Sequence, residues 1–193
     1  MPHTPGHQLG AHEIMELHEV LSDTINGINQ FQMYREYCQD PELRRIIDNQ
    51  VHFMTNEYNT LVNLTQGKSG EFRTNHTPRT ASSPTYGLQN QSSSRPNASV
   101  NQMNDRDIAN GMLGCHKTTA SFRMNAALEI ADRQIREAII QGAKNSADQA
   151  YEVWSYMNSK GYYQVPTFDQ QTSQQIINAY QPAQTFQNQQ HFS

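Results

Sequence analysis

Apolar side chains recur at spacings of three, four or seven along four stretches of this 193-residue chain, the spacing that lines them up on one face of a helix. The most regular stretch runs from Asp132 to Pro166. Ile135, Ile139, Ala143, Ala150, Val153 and Met157 form its stripe, Asp132 supplies an N-cap, and Lys160-Gly161 with Pro166 ends it. Asp40 to Gly67 is written to the same plan, with Leu43, Ile47, Met54, Leu61 and Leu64 inward and Pro41 setting the first turn. Ahead of it, Ile14, Leu17, Leu21, Ile25, Ile28, Phe31, Tyr34 and Cys38 make a heptad-like stripe. Gly27 within it costs about 1 kcal/mol against alanine and marks a close helix contact. Asn104-Asp105-Arg106-Asp107 opens a further helix that carries Ile108, Met112, Cys115, Thr119, Phe122, Ala126 and Ile130, with Gly111 and Gly114 admitting a neighbouring backbone. The pattern predicts helices over 11–38, 41–65, 105–131 and 133–159.

Asp132 follows Asp40 by 92 positions, and the same offset carries Leu43 onto Ile135, Arg44 onto Arg136, Ile47 onto Ile139, Leu61 onto Val153 and Lys68 onto Lys160. Two αα-hairpins of one design predict an all-α fold, a pseudo-symmetric four-helix bundle. The hairpins occupy 10–66 and 104–160, with 1–9 a flexible lead-in. Residues 67–103, rich in Gly, Ser, Thr, Asn and Pro, read as a disordered linker. A helix of about 27 residues is roughly 40 Å long, and a flexible segment of nearly forty residues spans roughly 35 Å. The linker can therefore return to the starting end, which is the one-crossover, ferritin-like arrangement. Residues 161–193 are a Gln-rich tail, in which Asp169 to Tyr180 predicts a short helix packing Ile176 and Ile177 on the bundle.

AYEVWSYMNSKGYYQVP, preceded by ADRQIR, resembles the C-terminal helix of the coat F family of spore coat proteins of endospore-forming bacteria. The likeness extends through MLGCHKTTASFRMNAALEIADRQIR and, in the first half, through HEIMELHEVL and CQDPELRRIIDNQVHFMTNEYNTLVN. It covers both helical regions and neither the linker nor the tail. The resemblance implies a non-enzymatic structural coat component, made in the mother-cell cytoplasm without a signal peptide and placed in the spore coat. Its implied partners are other coat proteins and further copies of itself.

Composition narrows the field without naming a chemistry. A net charge of −4 without charge blocks leaves no electrostatic footprint for nucleic acid or an anionic membrane. No stretch approaches the roughly 18 apolar residues of a membrane helix, and the first ten residues lack the basic and apolar regions of a signal peptide. Cys38 and Cys115 do not have the spacing of a metal site; they read as small hydrophobes or, after oxidation, as intermolecular cross-links.

The polar residues that invite a chemical reading are Glu13, Glu16, His18, Glu19, His52, Glu57, His116, Glu129, Asp148 and Glu152. A ferritin-like di-metal site needs a carboxylate on each of two helices and Glu-x-x-His on each of the other two. No Glu-x-x-His occurs in the chain. Taking His52 as the histidine of the second helix, the glutamate position holds Asn49, and the fourth helix offers Gln141 and Lys144, so His52 reads as a satisfied or partly exposed histidine. Glu57 then lies about 140° around the helix, and Asp148 and Glu152 read as a solvated face, as do His18, His116 and the N-terminal glutamates. No cofactor and no bound metal is expected, and no hydrolytic elbow or phosphate loop is present. Tyr151, Trp154, Tyr156, Tyr162 and Tyr163 either seal the bundle end or form a partner-docking surface. Gln170, Gln171, Gln174, Gln175, Gln187, Gln189 and Gln190 supply solubility or acyl-donor sites for transglutaminase cross-links, and exposed tyrosines are candidates for oxidative coupling. The reading from another class is a ferritin-like metal-dependent oxidase or peroxide scavenger; a third is a cytosolic sporulation chaperone.

Overall fold

The structure is a computed structural model, and it describes residues 9–68, 75–79, 83–89 and 95–183. Its helices are α1 (Ala11–Tyr37), α2 (Pro41–Thr65), α3 (Asp105–Ala127), α4 (Arg133–Ser159) and α5 (Gln170–Asn178), with a single 3-10 turn at Val100–Gln102. The chain is all-helical, and the described residues form no strand. The predicted starts of the four long helices hold because each has its capping chemistry in place. The Asp40 carboxylate accepts the Glu42 N–H, Asn104 accepts Arg106 and Asp107, and Asp132 accepts Ile135.

Helix α1 packs on α2 and α3, and α4 packs on the same two, so the four long helices close a ring of contacts. One apolar cluster, around Phe31, Leu43, Ile47, Ile108, Met112 and Met157, fills one end. A second, around Leu17, Val20, Leu61, Ile135 and Ile139, fills the other. Every buried position of α2 has a buried counterpart 92 residues on. Leu43, Ile46, Ile47, Gln50, Met54, Glu57, Leu61 and Leu64 map onto Ile135, Ala138, Ile139, Gly142, Ser146, Gln149, Val153 and Tyr156. Leu17, Val20, Thr24, Gly27 and Phe31 of α1 map likewise onto Ala109, Met112, His116, Thr119 and Arg123 of α3.

The inter-helix loops follow the same offset. Glu13 Oε1 accepts the N–H groups of Ala131 and Asp132 at 3.0 and 2.8 Å. Ninety-two residues later, Asp105 accepts those of Gln39 and Asp40 at 2.8 and 3.1 Å. Each hairpin thus caps the turn of the other. Capture by Glu13 also explains why α3 stops at Ala127 rather than near 131: the chain turns at Leu128 to reach it. The helix ends keep the register less closely: α1 stops at Tyr37 and α3 at Ala127, 90 apart. The positive-φ glycines that terminate α2 and α4 are Gly67 and Gly161, 94 apart, because α4 is 27 residues long and α2 is 25.

Three expectations need correction. The inward stripe of α1 keeps Leu17, Phe31 and Cys38 as read off the sequence but differs elsewhere: Ile14 and Ile25 are exposed, while Glu13, Val20, Thr24 and Gly27 are buried. The linker expected to be disordered is docked where it is described: His76 N–H donates to Asn145 Oδ1 at 3.0 Å, Thr85 N–H to Asn158 Oδ1 at 2.7 Å, and Gly87 pairs with Val165. Helix α5 forms as predicted, yet Ile176 and Ile177 are 49% and 69% exposed and pack on nothing. The flexible lead-in of 1–9, apart from Leu9, and the glutamines at 187, 189 and 190 lie outside the described residues.

Candidate functional site

Polar side chains from all four long helices meet inside the molecule. Thr24 comes from α1, Gln50 and Glu57 from α2, His116 and Arg123 from α3, and Asn145, Gln149 and Glu152 from α4, and all are buried. Helical spacing brings the α2 pair there: Gln50, Met54, Glu57 and Leu61 step by four, three and four along one face.

Two hydrogen-bonded chains organise these groups. In the first, Arg123 donates from Nη1 to Glu57 Oε2 at 3.2 Å and from Nη2 to Thr24 Oγ1 at 3.0 Å, and Thr24 donates onward to the Val20 carbonyl. The other Glu57 oxygen accepts Asn145 Nδ2 at 2.6 Å. In the second, Gln50 Nε2 donates to Glu152 Oε2 at 2.9 Å and to the Gln149 carbonyl at 3.2 Å. Its amide oxygen must then face His116 Nε2, 2.9 Å away, so that nitrogen carries the proton. His76 Nε2 and the Arg79 N–H, both from the docked linker, complete the shell of Glu152 at 3.1 and 3.3 Å. The His76 ring also stands edge-on to Phe53 of α2, with centroids 5.1 Å apart, so the linker closes the seam between α2 and α4.

The electrostatics follow from burial. Full burial pushes the His116 imidazole down to about 3, with His76 and Arg123 adding positive charge nearby, so it is neutral and packs edge-on against Phe31. Burial raises the Glu152 carboxyl, but the hydrogen bonds from His76 and Gln50 outweigh it and hold the group below the usual carboxylate range. Glu57 is balanced by the Arg123 guanidinium, for which Gly142 leaves room: a Cβ there would overlap Arg123 Nη1. Each oxygen of Glu57 and of Glu152 already accepts a hydrogen bond, and among the described residues no three His, Cys, Asp or Glu side chains are placed to hold a metal. The chemistry of the arrangement is internal charge balance.

Sequence reasoning placed several of these groups wrongly. His52 is exposed and bonds Asn56, in keeping with its reading as a partly exposed histidine, but that made it no reference for the inward face: Glu57, measured from Gln50, points straight in. Glu152, His116 and Glu13 are buried rather than solvated. Asp148 and Lys144 do pair at 2.9 Å on the surface, and His18, Glu19 and Glu129 are exposed. The signal that could have found the network was the heptad phase of Gln50 and Glu57 with the neighbouring core leucines.

The aromatic group divides in two. Tyr156 is buried and donates its hydroxyl to Asp40 Oδ2 at 3.0 Å, which removes it from any docking surface; Tyr162 packs beside it. Tyr151 stacks on Trp154 with centroids 5.6 Å apart, and Tyr163 meets Trp154 edge-on, with Lys117 over its ring. Tyr151 and Tyr163 are exposed. Cys38 is fully buried and its thiol is pushed up to about 12 by burial and then by Asp105, so it is a core group and a poor cross-linker. Cys115 is half-buried, with its thiol also raised by burial. Gln170, Gln171, Gln174 and Gln175 all lie exposed on or beside the first turns of α5. Among the described residues no helix is long and apolar enough to cross a membrane.

Residues 104–166 match the Coat F domain family model. The chain is 33% identical over 177 residues to the spore coat protein F-like protein YhcQ of Bacillus subtilis (strain 168), covering 91% of this chain and 82% of that protein. Its backbone is similar to a crystal structure of a candidate spore coat protein from Bacillus halodurans C-125, with a TM-score of 0.59, 15% identity, and coverage of 83% of this chain and 94% of the other.

Proposed function

Because this chain belongs to the Coat F-like family of spore coat proteins, we propose that it is a non-enzymatic structural component of the bacterial spore coat. It works as a rigid ferritin-like four-helix bundle, built from two repeated hairpins joined by one long crossover, that presents docking faces to other coat proteins. The reciprocal caps of Glu13 and Asp105 and the 92-residue repeat of buried positions support the repeated-hairpin reading.

The observation that carries the non-enzymatic reading is the guanidinium of Arg123 beside Glu57. In a ferritin-like bundle the centre is where divalent cations would be bound by carboxylates and histidines. Here a protein cation balances one carboxylate, and linker and amide donors engage the other. Glu57, Glu152, His76 and His116 are nonetheless two carboxylates and two imidazoles in one interior, which is why a metal-dependent oxidase or peroxide scavenger stands as the second reading. The exposed Tyr151 and Tyr163, with the glutamines of α5, are the groups offered for docking or cross-linking.

Two measurements separate the readings. A fluorescent fusion followed through sporulation should form a ring around the forespore; a diffuse mother-cell signal would favour a chaperone instead. Untagged protein dialysed against iron, manganese or zinc should hold less than one equivalent. Two equivalents, with a rise in melting temperature abolished by Glu57→Gln or Glu152→Gln, would favour the enzyme.

A further inference from the structure

The linker lies in the seam between α2 and α4, where side chains of α4 read its backbone. His76 N–H donates to Asn145 Oδ1 at 3.0 Å, and Arg79 N–H donates to Glu152 Oε1 at 3.3 Å. Between those two bonds the His76 ring, only 8% exposed, donates to Glu152 Oε2 at 3.1 Å and stands edge-on to Phe53. Asn75, Thr77 and Arg79 are exposed, and Pro78 confines Thr77 to extended backbone. The seam therefore selects one side chain by type, an imidazole, and otherwise an extended backbone with N–H groups at the histidine and three residues after it.

The chain carries that pattern twice. His76-Thr77-Pro78-Arg79 recurs as His3-Thr4-Pro5-Gly6, and His-Thr-Pro occurs nowhere else in the sequence. The spacing of 73 departs from the 92-residue helical offset, so the match does not come from the hairpin repeat. It falls on the groups the seam uses. His3 supplies the imidazole and its own N–H, and Pro5 confines Thr4 as Pro78 confines Thr77. Gly6 stands for Arg79, whose N–H is read while its side chain is exposed. Pro2 and Pro5 leave both required N–H groups in place.

We propose that the seam is a binding site for an extended His-Thr-Pro segment, and that residues 3–6 of a second copy displace residues 76–79 from it. This rests on the structural reading above and names one docking face with its partner. The linker can yield this station and stay attached, because Asn158 holds Thr85 by both N–H and carbonyl and Val165 pairs with Gly87. The same chain is poorly placed to be the donor. Glu13 accepts the Gly10 N–H at 2.6 Å and the Asp132 N–H at 2.8 Å, so the chain enters α1 beside the start of α4. Asn145 stands about 20 Å further along α4, and residues 3–10 would span about 22 Å as a polyproline II run. Its own segment thus reaches only if drawn straight along α4, a limit that a neighbouring copy does not set. Exchange replaces one occupant by its equal, so each contact is weak and counts where copies are crowded into a layer.

The test is fluorescence anisotropy with a labelled peptide of residues 1–8. The receiver is the full chain with His3→Ala, His76→Ala and Arg79→Pro, which removes both internal occupants, its fold checked by circular dichroism and melting. The peptide should bind this chain, and bind the parent about tenfold more weakly because the parent's linker competes. His3→Ala or Gly6→Pro in the peptide should each weaken binding about tenfold or more, the loss of one buried hydrogen bond; His7→Ala should change it little. If the triple variant unfolds, Arg79→Pro alone, at an exposed linker residue, serves as receiver with the same ranking of peptides expected. In sedimentation velocity, an equimolar mixture of parent and receiver should contain a complex of one of each, which His3→Ala in the parent abolishes. A peptide that does not bind, binding equal in parent and receiver, or indifference to Gly6→Pro would each overturn the proposal. So would a mixture that stays monomeric while the peptide binds, since it would assign the segment to its own seam. A forespore ring together with a peptide that does not bind would remove this contact and leave the coat reading standing.

Discussion

The turns of the two hairpins and the centre between them obey different rules. At the turns the 92-residue offset keeps the hydrogen bonds: Glu13 and Asp105 are counterparts, and each accepts the corresponding pair of loop N–H groups from the other hairpin. At the centre the offset keeps burial but not chemistry. Phe31 corresponds to Arg123, Glu57 to Gln149, Thr24 to His116 and Gln50 to Gly142, so the Arg123–Glu57 ion pair, one member from each half, has a ring and an amide as its counterparts. The difference separates what the turns must keep from what the centre can vary. Turn geometry is fixed by backbone groups that must be satisfied, whereas interior volume can be filled by any set that balances its own charge.

The largest test makes the centre symmetric. Arg123→Phe copies the first half into the second but strands Glu57 as a buried anion, at a cost of about 3–5 kcal/mol. Adding Glu57→Gln, which copies Gln149, should recover most of that loss in urea unfolding. A single variant that costs under about 1 kcal/mol would mean the ion pair is not what holds the two halves in register. Because Arg123 Nε and Gln149 Oε1 have no hydrogen-bond partner among the described residues, the double variant can approach the parent without matching every bond.

The second test uses acid. His116 titrates at about 3 when folded and near 6.5 otherwise, so the unfolded chain takes up the proton first as pH falls. Its contribution is fully present above pH 6.5 and is lost progressively toward pH 3, about 3 kcal/mol of it by pH 4.5. Glu152, held below its ordinary 4.5, adds loss of the same sign at lower pH. Thr24, the counterpart of His116, has no such slope, and His116→Gln should remove one proton's worth of pH dependence between 6.5 and 4.5. An unchanged slope in thermal melts would place the titration elsewhere.

How much of this was legible in the sequence depends on what each element buries. The stripes of α2 and α4 were read correctly because Leu, Ile, Val and Met dominate them, and their aspartate caps are local signals. Helix α1 was misread in part: Leu17, Phe31 and Cys38 are buried as its stripe predicts, but the buried face also takes in Glu13, Thr24 and Gly27, while Ile14 and Ile25 stand outside. Apolar periodicity cannot assign a face whose polar members are satisfied by another hairpin. The docked linker was invisible for a related reason. It has no pattern of its own, and its order comes from Asn145, Glu152 and Asn158 on α4, which accept its backbone N–H groups in place of a strand.

The third test returns to the turns. Glu13→Ala and Asp105→Ala each remove a carboxylate that holds two loop N–H groups, and each should cost about 1–2 kcal/mol. Glu13 also accepts the Gly10 N–H at 2.6 Å, so its loss should be the larger by a few tenths. A difference beyond about 1 kcal/mol would break the equivalence of the two turns.

The smallest effect is expected where the offset fails. Lys160 and Lys68 are 92 apart, yet Lys160 precedes the terminating Gly161 and Lys68 follows the terminating Gly67, since α4 is the longer helix. The consequence is a difference in partners. Lys160 Nζ reaches Asp40 at 2.8 Å and Glu42 at 3.4 Å, joining the end of α4 to the start of α2, and it also lies over the Tyr156 ring. Among the described residues the Lys68 ammonium bonds the side chain of Gln66, two residues away. The hydrogen bond to Asp40 raises the Lys160 ammonium above its ordinary range, and Asp40 is held below its own, so the pair is complete at neutral pH and is lost as pH rises through the lysine range or falls through that of the carboxylate. The Lys160 side chain is about a third exposed, and pairs of that kind contribute about 0.2–1 kcal/mol. Lys160→Ala should therefore lower stability by that amount at low ionic strength, and by much less in about 1 M salt, where the Debye length is about 3 Å. Lys68→Ala should fall within about 0.5 kcal/mol of zero at either salt. Equal, salt-independent losses for the two would show that the register slip at the helix ends has no energetic consequence.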